Sequence, residues 1–267
     1  MQPSLLFAAI LGIVEGVTEF LPVSSTGHLR LVAYWMNVGG DREQAFEIFI
    51  QLGAILAVAW DFRSQLVADL LGARRPGPER RLLSGLVLAF VPAAAVGLVF
   101  HRAIERYLFS NASIAGALVV GGILILIVES RRLEPRTGSL EAISWRQALA
   151  VGCAQVIALF PGFSRSAATI LGGVLVGMSR SVATEFSFYL AIPTIAAASL
   201  YSLARELPHL RSADAPYFAI GILMSFLSAA VVVRAFLAYV RGRTFRPFAW
   251  YRIAFGVLVF ILISERR

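Results

Sequence analysis

Apolar segments alternate with short polar interruptions along the whole chain. Six of these segments approach the roughly 20 helical residues needed to cross about 30 Å of hydrocarbon. They lie at about 45–60, 82–100, 113–128, 183–203, 215–239 and 248–263. The pattern predicts an all-α polytopic membrane protein with about six transmembrane helices.

Two further regions consist of short apolar pieces on either side of a polar break. Residues 3–14 and 28–38 flank the first break, and residues 145–159 and 170–178 flank the second, at 160–169. Each piece is too short to span a bilayer. Irregular backbone at membrane depth must be buried in protein. We therefore predict two re-entrant helix–loop–helix pairs with polar tips.

The second half of the chain repeats the pattern of the first, with an offset of 140 residues that slips to 139 and then to 138. The matched pairs are Gly12 and Gly152, Glu15 and Gln155, Phe20 and Phe160, Pro22 and Pro161, Ser25 and Ser164, Ala45 and Ala183, and Glu47 and Glu185. An odd number of crossings in each half places the second half upside down relative to the first. We predict one membrane domain, 1–267, built from two inverted repeats at about 1–130 and 145–267.

The arginines in the loops predict the orientation of this arrangement. Thirteen lie on one side of the predicted spans and seven on the other. Because positively charged loops stay in the cytoplasm, both termini are expected outside. The first re-entrant pair would then enter from outside and the second from the cytoplasm, so that their tips meet near the midplane.

The composition agrees with a membrane protein, since 58% of the residues are hydrophobic and 15% are charged. The net charge of +8 is carried by arginines in short loops and requires no nucleic-acid partner. The single Cys153 excludes an internal disulfide. Ionisable side chains inside a membrane are functional by default, which makes the two polar breaks the candidate site.

The first break, EGVTEFLPVSSTGH, contains two carboxylates, three hydroxyls and a histidine. Glu15 and Glu19 lie four residues apart, so on a helix they form a pair of like charges that a bound cation would neutralise. The run after Pro22 is hydroxyl-rich and can surround an anion; it comprises Ser24, Ser25, Thr26, Gly27 and then His28.

The second break, FPGFSRSAAT, brings Arg165 toward the first. Its planar guanidinium suits phosphate oxygens. Gly162, Ser164, Ser166 and Thr169 can complete an anion cradle, and Glu47 and Gln51, which share one face of the first span, are expected to support it. The alternative is that Arg165 merely pairs with Glu19 or Glu185 as a structural contact.

These motifs, together with FEIFIQLGAILAV and EFSFYLAIP, resemble the undecaprenyl-diphosphate phosphatase, or bacitracin-resistance, family over essentially the whole chain. The resemblance implies an inverted-repeat enzyme that removes the terminal phosphate of undecaprenyl diphosphate, a lipid carrier of cell-wall synthesis. It also implies a divalent cation, Mg²⁺ or Ca²⁺, and the active-site residues Glu15, Glu19, Ser25, His28 and Arg165. One departure is Ala167, where many members have Gly.

The implied setting is the bacterial cytoplasmic (inner) membrane, with an active site that opens to the periplasmic side. The partners would be the bilayer and a polyprenyl diphosphate, and a homodimer is left open.

Two mechanisms fit the first motif. Ser25 could attack phosphorus after giving its proton to His28, or His28 could attack directly. A secondary transporter or flippase for a lipid phosphate is the competing function, because inverted repeats with broken helices also build carriers.

Overall fold

The computed structural model describes residues 4–36, 41–131, 133–206 and 214–264. This part of the chain is helical and contains no β-strand, which confirms the all-α class. The helices are α1 Leu5–Thr18, α2 Ser25–Trp35, α3 Asp41–Asp61, α4 Arg63–Gly72, α5 Pro78–Leu108, α6 Asn111–Ser130, α7 Trp145–Gln155, α8 Arg165–Leu175, α9 Arg180–Glu206, α10 Ala215–Val240 and α11 Arg246–Ser264.

Four helices of the described residues are long and apolar enough to cross a membrane. They are Pro78–Ile104, Asn111–Ser130, Arg180–Ser202 and Ala215–Val240, and they coincide with four of the six predicted spans. The predicted span 45–60 lies in α3, which makes a fifth candidate only together with α4, across a bend of 72°. The predicted span 248–263 lies in α11, which is not among these candidates.

Three element boundaries differ from the prediction. The polar sequence 63–72 was left unassigned and forms α4. Helices α2 and α8 begin at Ser25 and Arg165, earlier than the predicted starts at 28 and 170, because Ser24 and Ser164 cap them. The second break is therefore shorter than predicted, and residues 165–169 are helical. Residues 37 and 38 of the predicted piece 28–38 lie outside the described residues.

Helices α1 and α7 begin in the same way, 140 residues apart. The hydroxyl oxygen of Ser4 accepts a hydrogen bond from the backbone N–H of Phe7, and that of Ser144 accepts one from Gln147. Such side-chain caps satisfy the free N–H groups of a helix start. The matched ends give the two short helices the same register relative to their caps.

Each of these short helices packs on a long helix from the other half of the chain, α1 on α10 and α7 on α5. Matched glycines allow the close approach. A Cβ on Gly12 would lie 2.4 Å from the carbonyl oxygen of Gly221, and one on Gly152 would lie 2.5 Å from that of Ala89. Small residues at such crossings let helix backbones approach closely in membranes. The packing holds the first break against the second half of the chain.

The main apolar core lies around α9 and receives the residue that follows Glu19. Phe20 is fully buried there and meets Phe188 edge to face, with ring centroids 5.0 Å apart. Aromatic pairs in this geometry add about 0.5–1.5 kcal/mol beyond their buried area. The anchored ring fixes the position of the neighbouring carboxylate.

Candidate active site

The two polar breaks end in the same strained conformation. Ser24 has φ 72° and Ser164 has φ 77°, and they are the only non-glycine residues with positive φ in the described chain. The hydroxyl of Ser24 accepts from the N–H of Gly27, and that of Ser164 accepts from the N–H of Ala167. A non-glycine residue held this way costs about 1–3 kcal/mol and is typical of functional sites.

This match corrects one detail of the predicted repeat. Ser164 is equivalent to Ser24, not to Ser25, because both serines cap the following helix at the same offset as the glycines. Ser25 and Arg165 therefore occupy equivalent positions, as the first residues of α2 and α8. The two predicted functional residues project from matched helix starts.

Glu19 joins these two side chains. The hydroxyl of Ser25 donates a hydrogen bond of 2.7 Å to Oε2 of Glu19. Nη2 of Arg165 lies 3.4 Å from Oε1 of the same carboxylate. Glu19 is buried. The structure thus brings together three of the four predicted catalytic residues, with a hydroxyl and a guanidinium on opposite oxygens of one carboxylate.

Arg165 is held by groups that leave part of its guanidinium unused. Nη1 donates to the carbonyl oxygen of Ser187 at 3.1 Å, and Cζ lies 5.6 Å above the ring of Phe20. Its Nε is buried and has no protein partner. The ion pair with Glu19 that we considered as an alternative role exists, whereas no ion pair with Glu185 is found among the described residues. The unused donor can still bind an anion.

Glu15 is completely buried, and neither of its carboxylate oxygens has a hydrogen-bond partner. The charges that act on it are those of Glu19, Glu47 and Arg165. Within the described residues no three His, Cys, Asp or Glu side chains form a cluster that could bind a metal by themselves. Mg²⁺ commonly takes only one or two carboxylates and fills its other positions with water and phosphate oxygens. Glu15 fits that ligand set because its oxygens have no other partner.

His28 does not contact Ser25. Its Nδ1 lies 2.7 Å from the carbonyl oxygen of Ser24 and therefore donates to it, while Nε2 accepts from the hydroxyl of Tyr251 at 2.6 Å. The ring stacks on Phe255 with centroids 4.1 Å apart. The predicted transfer of the Ser25 proton to His28 does not fit this geometry, in which Glu19 is the acceptor.

Two of the predicted cradle residues have partners within the protein. Ser166 is buried and donates to the carbonyl oxygen of Leu21, so it ties the second loop to the first. Thr169 is also buried and bonds both the carbonyl oxygen of Arg165 and the hydroxyl of Ser187. Both side chains fix the positions of the loops, and a contact of theirs with substrate stays a prediction.

The remaining predicted residues lie beside these contacts. Thr26 and Gly27 form the first turn of α2, and Gly162 precedes α8 with φ 91°. Glu47 and Gln51 are half-buried on one face of α3, and the charge of Glu47 acts on Glu15. Their predicted contact with substrate has no test here.

The sequence analysis missed Arg252, which joins both loops to α6. This side chain of α11 is fully buried. It donates to the carbonyl oxygen of Pro22 in the first loop and to those of Gly162 and Phe163 in the second, at 2.7–3.2 Å. It also donates to Ala117 and Leu118 of α6. An arginine inside an otherwise apolar segment was the available signal, since such residues are rare and functional.

Comparison with known proteins gives one consistent result. The family described as "Bacitracin resistance protein BacA" matches residues 8–258. A protein named undecaprenyl-diphosphatase from Ectopseudomonas mendocina is 49% identical over 252 residues, covering 94% of this chain and 91% of the relative.

Two further relatives carry the same name. Undecaprenyl-diphosphatase 1 of Chromobacterium violaceum is 48% identical over 96% of this chain and 95% of its own length. Undecaprenyl-diphosphatase of Methylococcus capsulatus is 48% identical over 97% of this chain and 95% of its own length. The match extends through both loops and Arg252, and the chain belongs to the bacitracin resistance protein BacA family.

Proposed function

We propose that this protein hydrolyses undecaprenyl diphosphate to undecaprenyl phosphate and inorganic phosphate. The observation that carries the proposal is the buried contact of Ser25 and Arg165 with the two oxygens of Glu19. A nucleophile, a base and a phosphate-binding cation are the groups that phosphoryl transfer needs. The names of the relatives agree with this chemistry.

In the first step, the hydroxyl oxygen of Ser25 attacks the terminal phosphorus while Glu19 takes its proton. The bond between that phosphorus and the bridging oxygen breaks, and undecaprenyl phosphate leaves with the bridging oxygen. Arg165 stabilises the charge that spreads over the phosphoryl oxygens. Water then attacks the phosphoserine, and its proton passes to Glu19 as the serine leaves. Release of inorganic phosphate restores the starting state.

Direct attack by His28 fits the geometry less well, because both ring nitrogens already have protein partners. A pure carrier would not require the contact between Ser25 and Glu19, so this contact favours hydrolysis over transport.

We also propose that Glu15 binds a divalent cation, with Glu19 and Glu47 as the carboxylates that face it. When bound, such an ion neutralises phosphate charge and polarises the phosphoryl group. The two unpartnered oxygens of Glu15 support this assignment, because a buried carboxylate without a partner is costly.

The membrane arrangement proposed for this chain has six crossings in two inverted repeats. The reciprocal packing of α1 on α10 and of α7 on α5 supports it, as do the matched caps of α2 and α8. The protein would lie in the bacterial inner membrane with the site open to the periplasmic side. The lipid tail of the substrate would remain in the bilayer.

A phosphate-release assay tests the proposal. Purified protein in detergent, given a polyprenyl diphosphate and Mg²⁺ or Ca²⁺, should release inorganic phosphate, and Ser25→Ala should abolish the release. Ser84→Ala is a matched control, because the hydroxyl of Ser84 is exposed and bonds only the carbonyl oxygen of Arg81. Binding of the substrate without release of phosphate by the wild type would contradict hydrolysis and favour a carrier.

A further inference from the structure

A second polar cavity lies at the end of the molecule where α6 and α10 end and α9 begins. Its volume is about 340 Å³, and it shares no lining residue with the candidate active site. The lining contains four arginines but one carboxylate, Glu129. A cavity of this size and charge can take a ligand of several atoms that carries negative charge.

One arginine of the lining is already neutralised. Arg180 makes a bidentate contact with Glu129, at 2.9 Å from Nε and 2.6 Å from Nη2. Oε1 of Glu129 also accepts from the backbone N–H of Phe245, so this pair links α6, α9 and the start of α11. The ion pair forms a fixed wall of the cavity.

The other three arginines, Arg131, Arg241 and Arg243, have exposed side chains. None of them forms an ion pair with a carboxylate in the part of the chain that the structure describes, where the ion pairs are those of Arg165, Arg180 and Arg234. They are therefore charges directed at one cavity without a protein counter-ion. Guanidinium groups bind phosphate oxygens through paired donors.

Apolar side chains line the rest of the cavity, among them Val128, Leu133 and Met178. Phosphate-binding arginines beside an apolar wall suit the headgroup and first methylenes of a phospholipid. Basic pockets between transmembrane helices bind anionic lipid headgroups in this way.

We propose that this cavity binds a phosphate group, supplied by an anionic phospholipid headgroup or by a soluble phosphate. The site is distinct from the Ser25 centre, since no residue belongs to both. Occupancy would crosslink the ends of α6, α9 and α10 and stabilise the protein without entering the reaction.

Binding is measured by native mass spectrometry and thermal melting of the detergent-purified protein. The ligands are short-chain phosphatidylglycerol, short-chain phosphatidylcholine and inorganic phosphate. The test variant is Arg241→Gln/Arg243→Gln. The matched control is Arg74→Gln/Arg75→Gln, which removes the same charge from an exposed loop outside the cavity.

Phosphatidylglycerol should bind the wild type and the control with equal affinity and the test variant about 30-fold more weakly, because each arginine near a membrane surface contributes roughly fivefold. Protection by phosphatidylglycerol alone identifies the lipid source, and equal protection by inorganic phosphate identifies the soluble source. Equal affinity of the test variant and the wild type for both phosphate ligands overturns the proposal. If the double variant melts early without ligand, Arg243→Gln alone provides the comparison, with about a fivefold loss expected.

Discussion

At the scale of single residues, the sequence predicted which side chains meet but not how they pair. Glu19, Ser25 and Arg165 were predicted to share a site, and they do. The wrong detail was the acceptor of the Ser25 proton, because residues three apart on a helix were assumed to contact each other. His28 instead meets Tyr251, which is 223 residues away in the sequence. No local pattern reveals a partner at that distance.

The pairing predicts that Glu19→Gln is far more damaging than His28→Gln. A glutamine cannot take the proton of Ser25, and general-base catalysis is worth about 10²–10⁴-fold in rate. His28→Gln removes hydrogen bonds that support the loop, and one such bond contributes about 0.5–1.5 kcal/mol. We expect a loss of at least a hundredfold for Glu19→Gln and about tenfold for His28→Gln, measured as phosphate release at saturating substrate.

Tyr251→Phe is the control for the histidine variant, since it removes the same hydrogen bond and leaves the imidazole in place. It should match His28→Gln. If His28→Gln is as inactive as Glu19→Gln while Tyr251→Phe stays active, His28 is the base and the apparent acceptor is wrong.

A second prediction concerns the buried carboxylate of Glu15. A cation at about 100 times its dissociation constant stabilises the protein that binds it by about 2.7 kcal/mol. Adding Mg²⁺ or Ca²⁺ should therefore raise the melting temperature of the wild type by several degrees, but not that of Glu15→Gln. In metal-free buffer Glu15→Gln should melt above the wild type, because the repulsion between buried carboxylates is removed.

Glu134→Gln serves as the control for loss of a surface charge, because Glu134 lies on an exposed connector. It should respond to the cation as the wild type does. An equal rise in the melting temperature of all three proteins would show that the ion acts elsewhere.

At the scale of elements, hydropathy predicted four spans well and failed where composition and conformation disagree. Helix α4 has the sequence RSQLVADLLG, whose polar residues hide a helix beside α3. The start of α8, RSAAT, is polar enough to look like a loop, yet the cap at Ser164 makes it helical. Long helices such as α5 extend past their apolar segments, since polar residues at the ends can continue a helix.

The most consequential missed contact is the one that Arg252 makes between elements. Its guanidinium donates to carbonyl oxygens of both loops and of α6, with no carboxylate among those partners. A Cβ on Gly121 of α6 would lie 2.1 Å from its Nη2, so that position has room only for glycine. The sequence shows a buried charge here but cannot show that its partners are backbone groups.

We expect Arg252→Lys to lower activity without moving the Ser25 chemistry. Lysine keeps the charge but has one donor group in place of the planar fork, so it cannot reach both loops and α6 at once. Hydrogen bonds from a charged group are worth about 1.5–3 kcal/mol each. The melting temperature should fall, and kcat should drop because Ser25 and Arg165 are no longer held in register.

A pH profile separates this positioning role from a catalytic one. The shape of the profile of Arg252→Lys should match that of the wild type at a lower rate. Arg234→Lys is a control at an exposed ion pair with Asp61 and should leave the rate unchanged. Wild-type kcat and melting temperature in Arg252→Lys would refute the role.

At the scale of the whole molecule, the internal repeat is the feature that the sequence carries best. Three unrelated structural features recur at an offset of 140 residues: the capping serines Ser4 and Ser144, the strained serines Ser24 and Ser164, and the close-packed glycines Gly12 and Gly152. Each has a separate physical cause, so their common spacing supports duplication rather than chance. The predicted slip at the serines was wrong because it compared residue types and not conformations.

If the repeats are inverted, loops at equivalent positions of the two halves face opposite sides of the membrane. The loop around Pro76 follows α4 in the first half, and the loop around Gly242 follows α10 in the second. The arginine distribution predicts both in the cytoplasm, and Ser110, between α5 and α6, outside. Cysteines introduced at these positions in a Cys153→Ser background report their sides, because Cys153 is the only cysteine of the chain.

A membrane-impermeant maleimide applied to intact cells should label Ser110→Cys at once, and should label Pro76→Cys and Gly242→Cys only after permeabilisation. The reversed pattern would keep the inverted repeats but overturn the orientation, since the arginine-rich loops would then face outward. Labelling of Pro76→Cys and Ser110→Cys from the same side would mean that α5 does not cross the bilayer. The second half could not then be the inverted copy of the first, and the meeting of the two re-entrant tips at the midplane would need another explanation.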